Sequence, residues 1–201
     1  MLGRLSVDRS IDPYLSCCET IDFRCADILH LAASLAKDSP QETTKACFEF
    51  TRDRIRHSAD FRQNPVTCKA SEVLAHGTGF CYAKSHLLTA LLRANGLTAG
   101  MCYQRLSMGG EEGAYCLHGL NAVYLPEVGW YRLDARGNRH DIHAEFHPPE
   151  EFLAFRPTLP GEYDLPGVYA TPLPVVVDAL SSHETWDQLL LHLPDITPVA
   201  I

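Results

Sequence analysis

The apolar pattern of this chain changes period once, at Gly96, and that change constrains the fold more than any other feature. Before it, apolar residues recur at helical spacing. "CCETIDFRCADILHLAASLAKDS" carries Ile21, Cys25, Ile28, Leu31, Ala32 and Leu35 on one face and ends before Pro40. "QETTKACFEFTRDRIRH" repeats the pattern with Ala46, Cys47, Phe50 and Ile55, and "ASEVLAHG" is a short helix stopped by Gly77. A Leu-rich helix then runs from about Cys81 to Asn95, with Leu87, Leu88, Leu91 and Leu92 as its buried stripe. After Gly96, "TAGMCYQRL", "LHGLNAVYL" and "WYRLDAR" are short, β-branched or aromatic, and separated by turns such as "SMGGEEG" and "PEVG". Connections that short cannot hold crossover helices, so the strands are antiparallel and the class is α+β.

At 201 residues the chain reads as one domain, 1–201, with its motif-bearing core at 56–137. Five prolines and two glycines between Pro157 and Pro174 predict an irregular segment, and "DALSSHETWDQLLLHL" predicts a last helix, so 157–193 forms a C-terminal appendage. The formal net charge is −8, and no basic run interrupts it, which argues against nucleic-acid or anionic-membrane partners. No window is apolar enough to span a membrane, and the first residues lack the apolar core of a signal peptide, so the expected compartment is cytoplasmic. Eight cysteines with no C-x-x-C pair are then expected as reduced thiols. The oligomeric state is not legible.

One cysteine has an unusual setting. In "HGTGFCYAKSHLL", Cys81 follows Gly77 and Gly79 and opens a helix. Free N–H groups and the helix dipole at that position favour a thiolate, the attacking form of cysteine. The glycines allow a tight turn and close approach of a substrate. A thiolate nucleophile needs a base, and the base needs an orienting group. His118 lies in "YCLHGLNAVYL" and Asp134 at the end of "WYRLDARGN", on strands that a short turn makes neighbours. Cys116 shares the strand face of His118 but lacks the helix N-terminus, so it reads as packing. His86, five residues into the helix, points away from Cys81 and reads as surface or packing.

Gly-x-Gly-x-Cys opening a Leu-rich helix that ends "LLRANG", then a strand histidine, then "W-x-x-L-D", resembles the transglutaminase-like superfamily of cysteine peptidases and acyltransferases. The resemblance covers roughly Arg56 to Gly137. It implies a papain-like cysteine proteinase fold, with N-terminal helices packed on an antiparallel sheet. It also implies a Cys-His-Asp triad falling on Cys81, His118 and Asp134, and a thioester intermediate with no cofactor. The family's His-Ala-Trp is His118-Gly119-Leu120 here, and its Asp-Pro-Thr is Asp134-Ala135-Arg136. Those departures bear on the cleft wall and the substrate.

Acyl transfer also needs oxyanion donors. The Cys81 N–H is one, and Gln63 or Asn64 in "FRQNPVT" are candidates for a second, against a plain turn before Pro65. Arg132 and Arg136 share the strand alternation of Asp134 and are candidates for the cleft wall, against a solvated edge. "RHDIHAEFHPPEE" gathers His140, His143 and His147 with acidic neighbours, suitable ligands for zinc but at no regular ligand spacing. The expected function is a cysteine-dependent peptide or amide hydrolase, or an acyltransferase. The rivals are a non-catalytic scaffold of the same fold and a metal-dependent hydrolase built on those histidines.

Overall fold

The computed structural model describes residues 12–110 and 113–196. The helical half comprises α1 (Ala26–Leu35), α2 (Pro40–Arg54), α3 (Ser58–Phe61), α4 (Ala70–His76) and α5 (Cys81–Ala94). Two short strands, β1 (Arg56–His57) and β2 (Thr78–Gly79), pair in parallel within it. The sheet half comprises β3 (Ala99–Ser107), β4 (Tyr115–Leu125) and β5 (Gly129–Leu133). A small hairpin of β6 (Glu145–His147) and β7 (Glu150–Phe152) follows, then β8 (Tyr163–Asp164), α6 (Pro174–Ser181) and α7 (Trp186–Leu190). The main sheet has the order β5-β4-β3-β8 and is antiparallel throughout, as the short turns require.

Helix α5 is the axis of the molecule. It packs against α1, α2 and α4 on one side and β3 and β4 on the other. Every residue from Cys81 to Arg93 is buried, where the apolar stripe alone predicts one buried face. The Leu side chains each contribute about 1.5–3 kcal/mol by leaving water. The long polar residues Lys84, His86 and Arg93 on the same helix are tolerated because each finds backbone carbonyls on other elements. Arg93 donates to Ser16 O, Ala99 O and Ala170 O, and Lys84 donates to Arg52 O and Ile55 O at the end of α2. His86 bonds Cys68 O through Nδ1, so it is a packing residue in the interior, and burial depresses its pKa to about 4.

Three expectations for the helices are corrected. The first helix begins at Ala26, because Asp22 is recruited to accept hydrogen bonds from Ser71 N–H and Oγ–H and the chain before Cys25 follows it. On α2 the buried face carries Thr43, Thr44, Cys47, Phe48 and Thr51, leaving Phe50 half-buried. The single C-terminal helix is two, α6 and α7, separated near "SHET". The segment between β7 and α6 is irregular apart from β8, as its prolines predict.

Among the described residues all eight cysteines are free thiols. No helix among the described residues is long and apolar enough to cross a membrane. The first eleven residues, which bear on a signal peptide, and Glu111-Glu112 in the β3–β4 turn lie outside the described residues.

Candidate active site

Helix α4 stops at Gly77, whose φ of 65° is the left-handed cap geometry a glycine adopts without strain. The chain then pairs Thr78 and Gly79 with Arg56 and His57, turns at Phe80, and enters α5 at Cys81. A Cβ on Gly79 would lie 3.1 Å from Ala83 Cβ and 3.2 Å from Thr67 Oγ1. Gly79 therefore clears the protein's own next turn, where the sequence reading assigned it to substrate access. The α5 N-terminus has no side-chain cap, and its first residues, Cys81 and Tyr82, line the cleft.

The N-terminus of α5 meets β4 at Gly119. A Cβ there would sit 3.0 Å from Tyr82 Cα and 3.2 Å from Tyr82 N, so only glycine lets the helix come this close. The approach lets Gly119 N–H donate to Cys81 Sγ at 3.5 Å, and Tyr82 OH donate to Leu117 O. The neighbouring residue on β4 is His118. Its Nε2 is 2.7 Å from Asp134 Oδ2, and Cys81 lies near enough to the ring to act on its charge. Asp134 follows β5 directly and is fully buried. Its Oδ1 accepts from Arg136 N–H at 3.0 Å, and Oδ2 accepts from Ala154 N–H at 3.2 Å. Phe155 stands edge-on to the imidazole with centroids 4.9 Å apart.

The electrostatics follow from burial and pairing. Burial opposes a charged His118, but Asp134 and Cys81 outweigh it and raise its pKa to about 10. Burial would raise Asp134, yet His118 and the two N–H donors hold it below the usual carboxylate range. Cys116 also borders the cleft, but burial pushes its thiol up to about 12, which keeps it protonated. The cleft itself encloses about 570 Å³, with Phe80, Leu106, Met108, Leu117 and Phe155 as apolar wall and Arg139 and Arg156 as cations.

The family model of the transglutaminase-like superfamily matches residues 29–135, more than half of the chain. This chain belongs to the transglutaminase-like superfamily. The match spans Cys81, His118 and Asp134, and the helices-then-sheet order is the papain-like arrangement that the resemblance implied. Among solved structures, this transglutaminase-like protein is similar to a "putative cysteine protease" from Cytophaga hutchinsonii. That pair has 16% identity and a TM-score of 0.49, covering 65% of this chain and 43% of the other. It is also similar to the periplasmic domain of TgpA from Pseudomonas aeruginosa, at 20% identity and a TM-score of 0.48 over 65% and 48% of the two chains. The matched region is thus less than half the length of either structure. No curated protein sequence matches the chain.

In this transglutaminase-like protein the other sequence candidates are dispersed. Gln63 and Asn64 are not among the residues that line the cleft, and Asn64 Oδ1 instead accepts from Trp186 N–H at 2.8 Å. Arg136 lines the cleft but is held by Asp60 in a two-pronged pair at 2.6 and 2.9 Å. Arg132 lies apart, bound to Glu151 and Asp164, where it closes the β5–β7 contact. His140, His143 and His147 are exposed, and no group of three or more His, Cys, Asp or Glu among the described residues is arranged to hold a metal ion.

The residue that sequence reasoning missed is His57. The β1–β2 pairing sets it against Phe80, one residue before Cys81, with ring centroids 5.5 Å apart. It lines the cleft, is 7% exposed, and its Nδ1, 3.9 Å from Asp60 Oδ1, has no hydrogen-bond partner among the described residues. Burial, with Arg136, Lys84, His118 and Arg139 nearby, depresses its pKa well below the usual value and keeps it neutral. A two-residue parallel bridge leaves no periodic signal, so nothing in the sequence points to His57.

Proposed function

We propose that the chain is a cysteine-dependent hydrolase of peptides or related amides, with Cys81 as nucleophile, His118 as acid–base group and Asp134 as orienting carboxylate. The observation that carries this reading is the buried chain Asp134–His118–Cys81 at the N-terminus of α5, with Gly119 N–H on the sulfur. A cationic imidazole beside the sulfur, N–H donors around it and a buried carboxylate behind the ring are the surroundings a thiolate needs.

The cycle follows from these positions. Cys81 Sγ attacks the carbonyl carbon and forms a C–S bond, and the carbonyl electron pair moves to oxygen. Cys81 N–H supports that oxyanion, and the neutral His57 is the cleft side chain available to donate the second hydrogen bond. When the electron pair returns, the C–N bond breaks and His118 gives its proton to the departing amine. Water then attacks the thioester, His118 takes its proton, and the C–S bond breaks to release the acid and restore the sulfur anion. A second amine in place of water would give acyl transfer by the same steps.

The test is capture of the acyl-enzyme. Wild type and Cys81→Ala are incubated with a library of activated peptide and amide acyl donors and analysed by intact mass. The expected result is an acyl adduct on wild type alone, mapped to Cys81. Absence of adduct from every donor would return the protein to the scaffold reading.

A further inference from the structure

Strand β5 pairs with β4 only from Asn121 to Leu125, so the Tyr115–Leu120 half of β4 has an outer edge that no strand among the described residues covers. N–H groups two residues apart on a strand point to the same edge. On this edge Gly119 N–H meets Cys81 Sγ, and Leu117 N–H donates to Pro194 O at 2.7 Å. The backbone of the C-terminal segment therefore lies about 7 Å, two residues of strand rise, from the point where the sulfur is held. Leu190 and Leu193 of the same segment project into the cleft that contains Cys81 and His118.

What fastens the segment is small and specific. Arg105 Nε and Nη2 donate to both carboxylate oxygens of Asp195 at 2.7 and 2.8 Å. Tyr163 OH donates to Ile196 O at 3.3 Å. The Arg105 guanidinium is also held over the Tyr115 ring at 3.7 Å and by Gly161 O, so the cation stays in place whether or not Asp195 is there. One main-chain bond, an apolar side chain directed into the cleft and an acidic side chain on a fixed arginine are the contacts of a bound peptide.

We propose that the outer edge of β4 is a peptide-binding edge, and that the chain's own Leu193–Ile196 segment, which follows α7, occupies it as a substrate would. The inference rests on the thiol chemistry proposed above and names its ligand: an extended peptide that pairs with Leu117 N–H and offers an acidic side chain to Arg105. The segment competes with that peptide and must leave before an extended substrate reaches Cys81. A small reagent that needs no strand pairing enters beside it.

The test uses the full chain, with Leu193→Asp, Asp195→Arg and the charge swap Arg105→Asp with Asp195→Arg. Three quantities are measured: hydrogen exchange at the Leu117 amide, the labelling rate of Cys81 by a peptidyl epoxide, and its labelling rate by iodoacetamide. Both single variants should exchange the Leu117 amide faster and label with the peptidyl epoxide about tenfold faster, since the accessible fraction limits apparent binding. Iodoacetamide labelling should change little, and the charge swap should return exchange and labelling toward wild type. Faster exchange without faster peptidyl labelling overturns the inference, as does unchanged exchange in both single variants. Failure of Cys81 to react with either reagent in any form defeats the thiol reading itself, and the inference falls with it.

Discussion

His118 Nε2 and Asp134 Oδ2 are 2.7 Å apart, in a pair whose side chains are only 5% and 0% exposed. The other carboxylate oxygen is already taken by Arg136 N–H, so the imidazole is fixed in one orientation. Asp134→Asn should therefore keep the fold while presenting an amide donor to a ring nitrogen that is itself a donor. The expected loss is roughly 10³–10⁴-fold in kcat on any acyl donor that labels Cys81, with KM held within a few-fold. The same variant should lower the titration of the His118 ring, followed by NMR, because Asp134 is the larger of the two charges that raise it. Cys81→Ala should lower it by less.

Lys84 and His118 make opposite contributions to stability as pH changes. Burial, with Arg136 nearby, depresses Lys84 to about 7. The unfolded value is about 10.4, so between the two the unfolded chain holds the extra proton and stability rises with pH. His118 is raised to about 10 from about 6.5. Between those values the folded chain holds the extra proton, so that contribution is full below the lower value and declines as pH rises. From about pH 7 to 8.5 Lys84 therefore adds an upward slope to stability. Lys84→Met should lower the slope of stability against pH by about 1.4 kcal/mol per pH unit relative to wild type over that window. Urea denaturation at successive pH values reads the slope, which is independent of the hydrogen bonds the variant also loses. A slope equal to that of wild type would contradict this assignment.

The parts of this site that were legible in the sequence depend on local structure. Cys81 is marked by the turn and helix start around it, and His118 and Asp134 by two strands that a short turn makes adjacent. The parts that were not legible depend on partners distant in sequence. Lys84, His86 and Arg93 read as polar interruptions of an amphipathic helix. They are buried because carbonyls of Ile55, Cys68 and Ala170, each on another element, receive them. Gln63 and Asn64 were chosen for polarity upstream of the cysteine, but the turn directs Asn64 to α7 while the β1–β2 bridge brings in His57. The docking of the chain after α7 was not legible, because Leu117, Arg105 and Tyr163, which receive Pro194 O, Asp195 and Ile196 O, are all distant in sequence.

Gly119 stands where the family has alanine, and the structure supplies the reason. A methyl group there would meet Tyr82 Cα at 3.0 Å, and backbone cannot yield as the end of a flexible side chain does. Gly119→Ala should push the start of α5 off β4, lengthen the contact between Gly119 N–H and Cys81 Sγ, and cost about 1–3 kcal/mol. Thermal melting reads the stability. The rate of acyl-adduct formation should fall by more than the stability loss explains, since the variant remains folded at the assay temperature. Wild-type rates in a stably folded variant would show that the close approach serves packing alone.

His57, on the helical half, lines the same cleft as Cys81, while Gly119 on the sheet holds its sulfur. His57→Phe keeps a ring to stand against Phe80 and removes the polar nitrogens from the cleft. Loss of an oxyanion donor lowers kcat by about 10²–10³-fold and leaves ground-state binding largely intact. The expected pattern for His57→Phe is therefore a fall in kcat with KM little changed and the thermal midpoint close to wild type. The buried Nδ1 has no hydrogen bond among the described residues to lose, so removing it should not destabilise the protein. His57→Gln, which restores an N–H donor at similar length, should recover part of the rate. If His57→Phe changes KM alone, His57 shapes the cleft wall and the second oxyanion donor is another group.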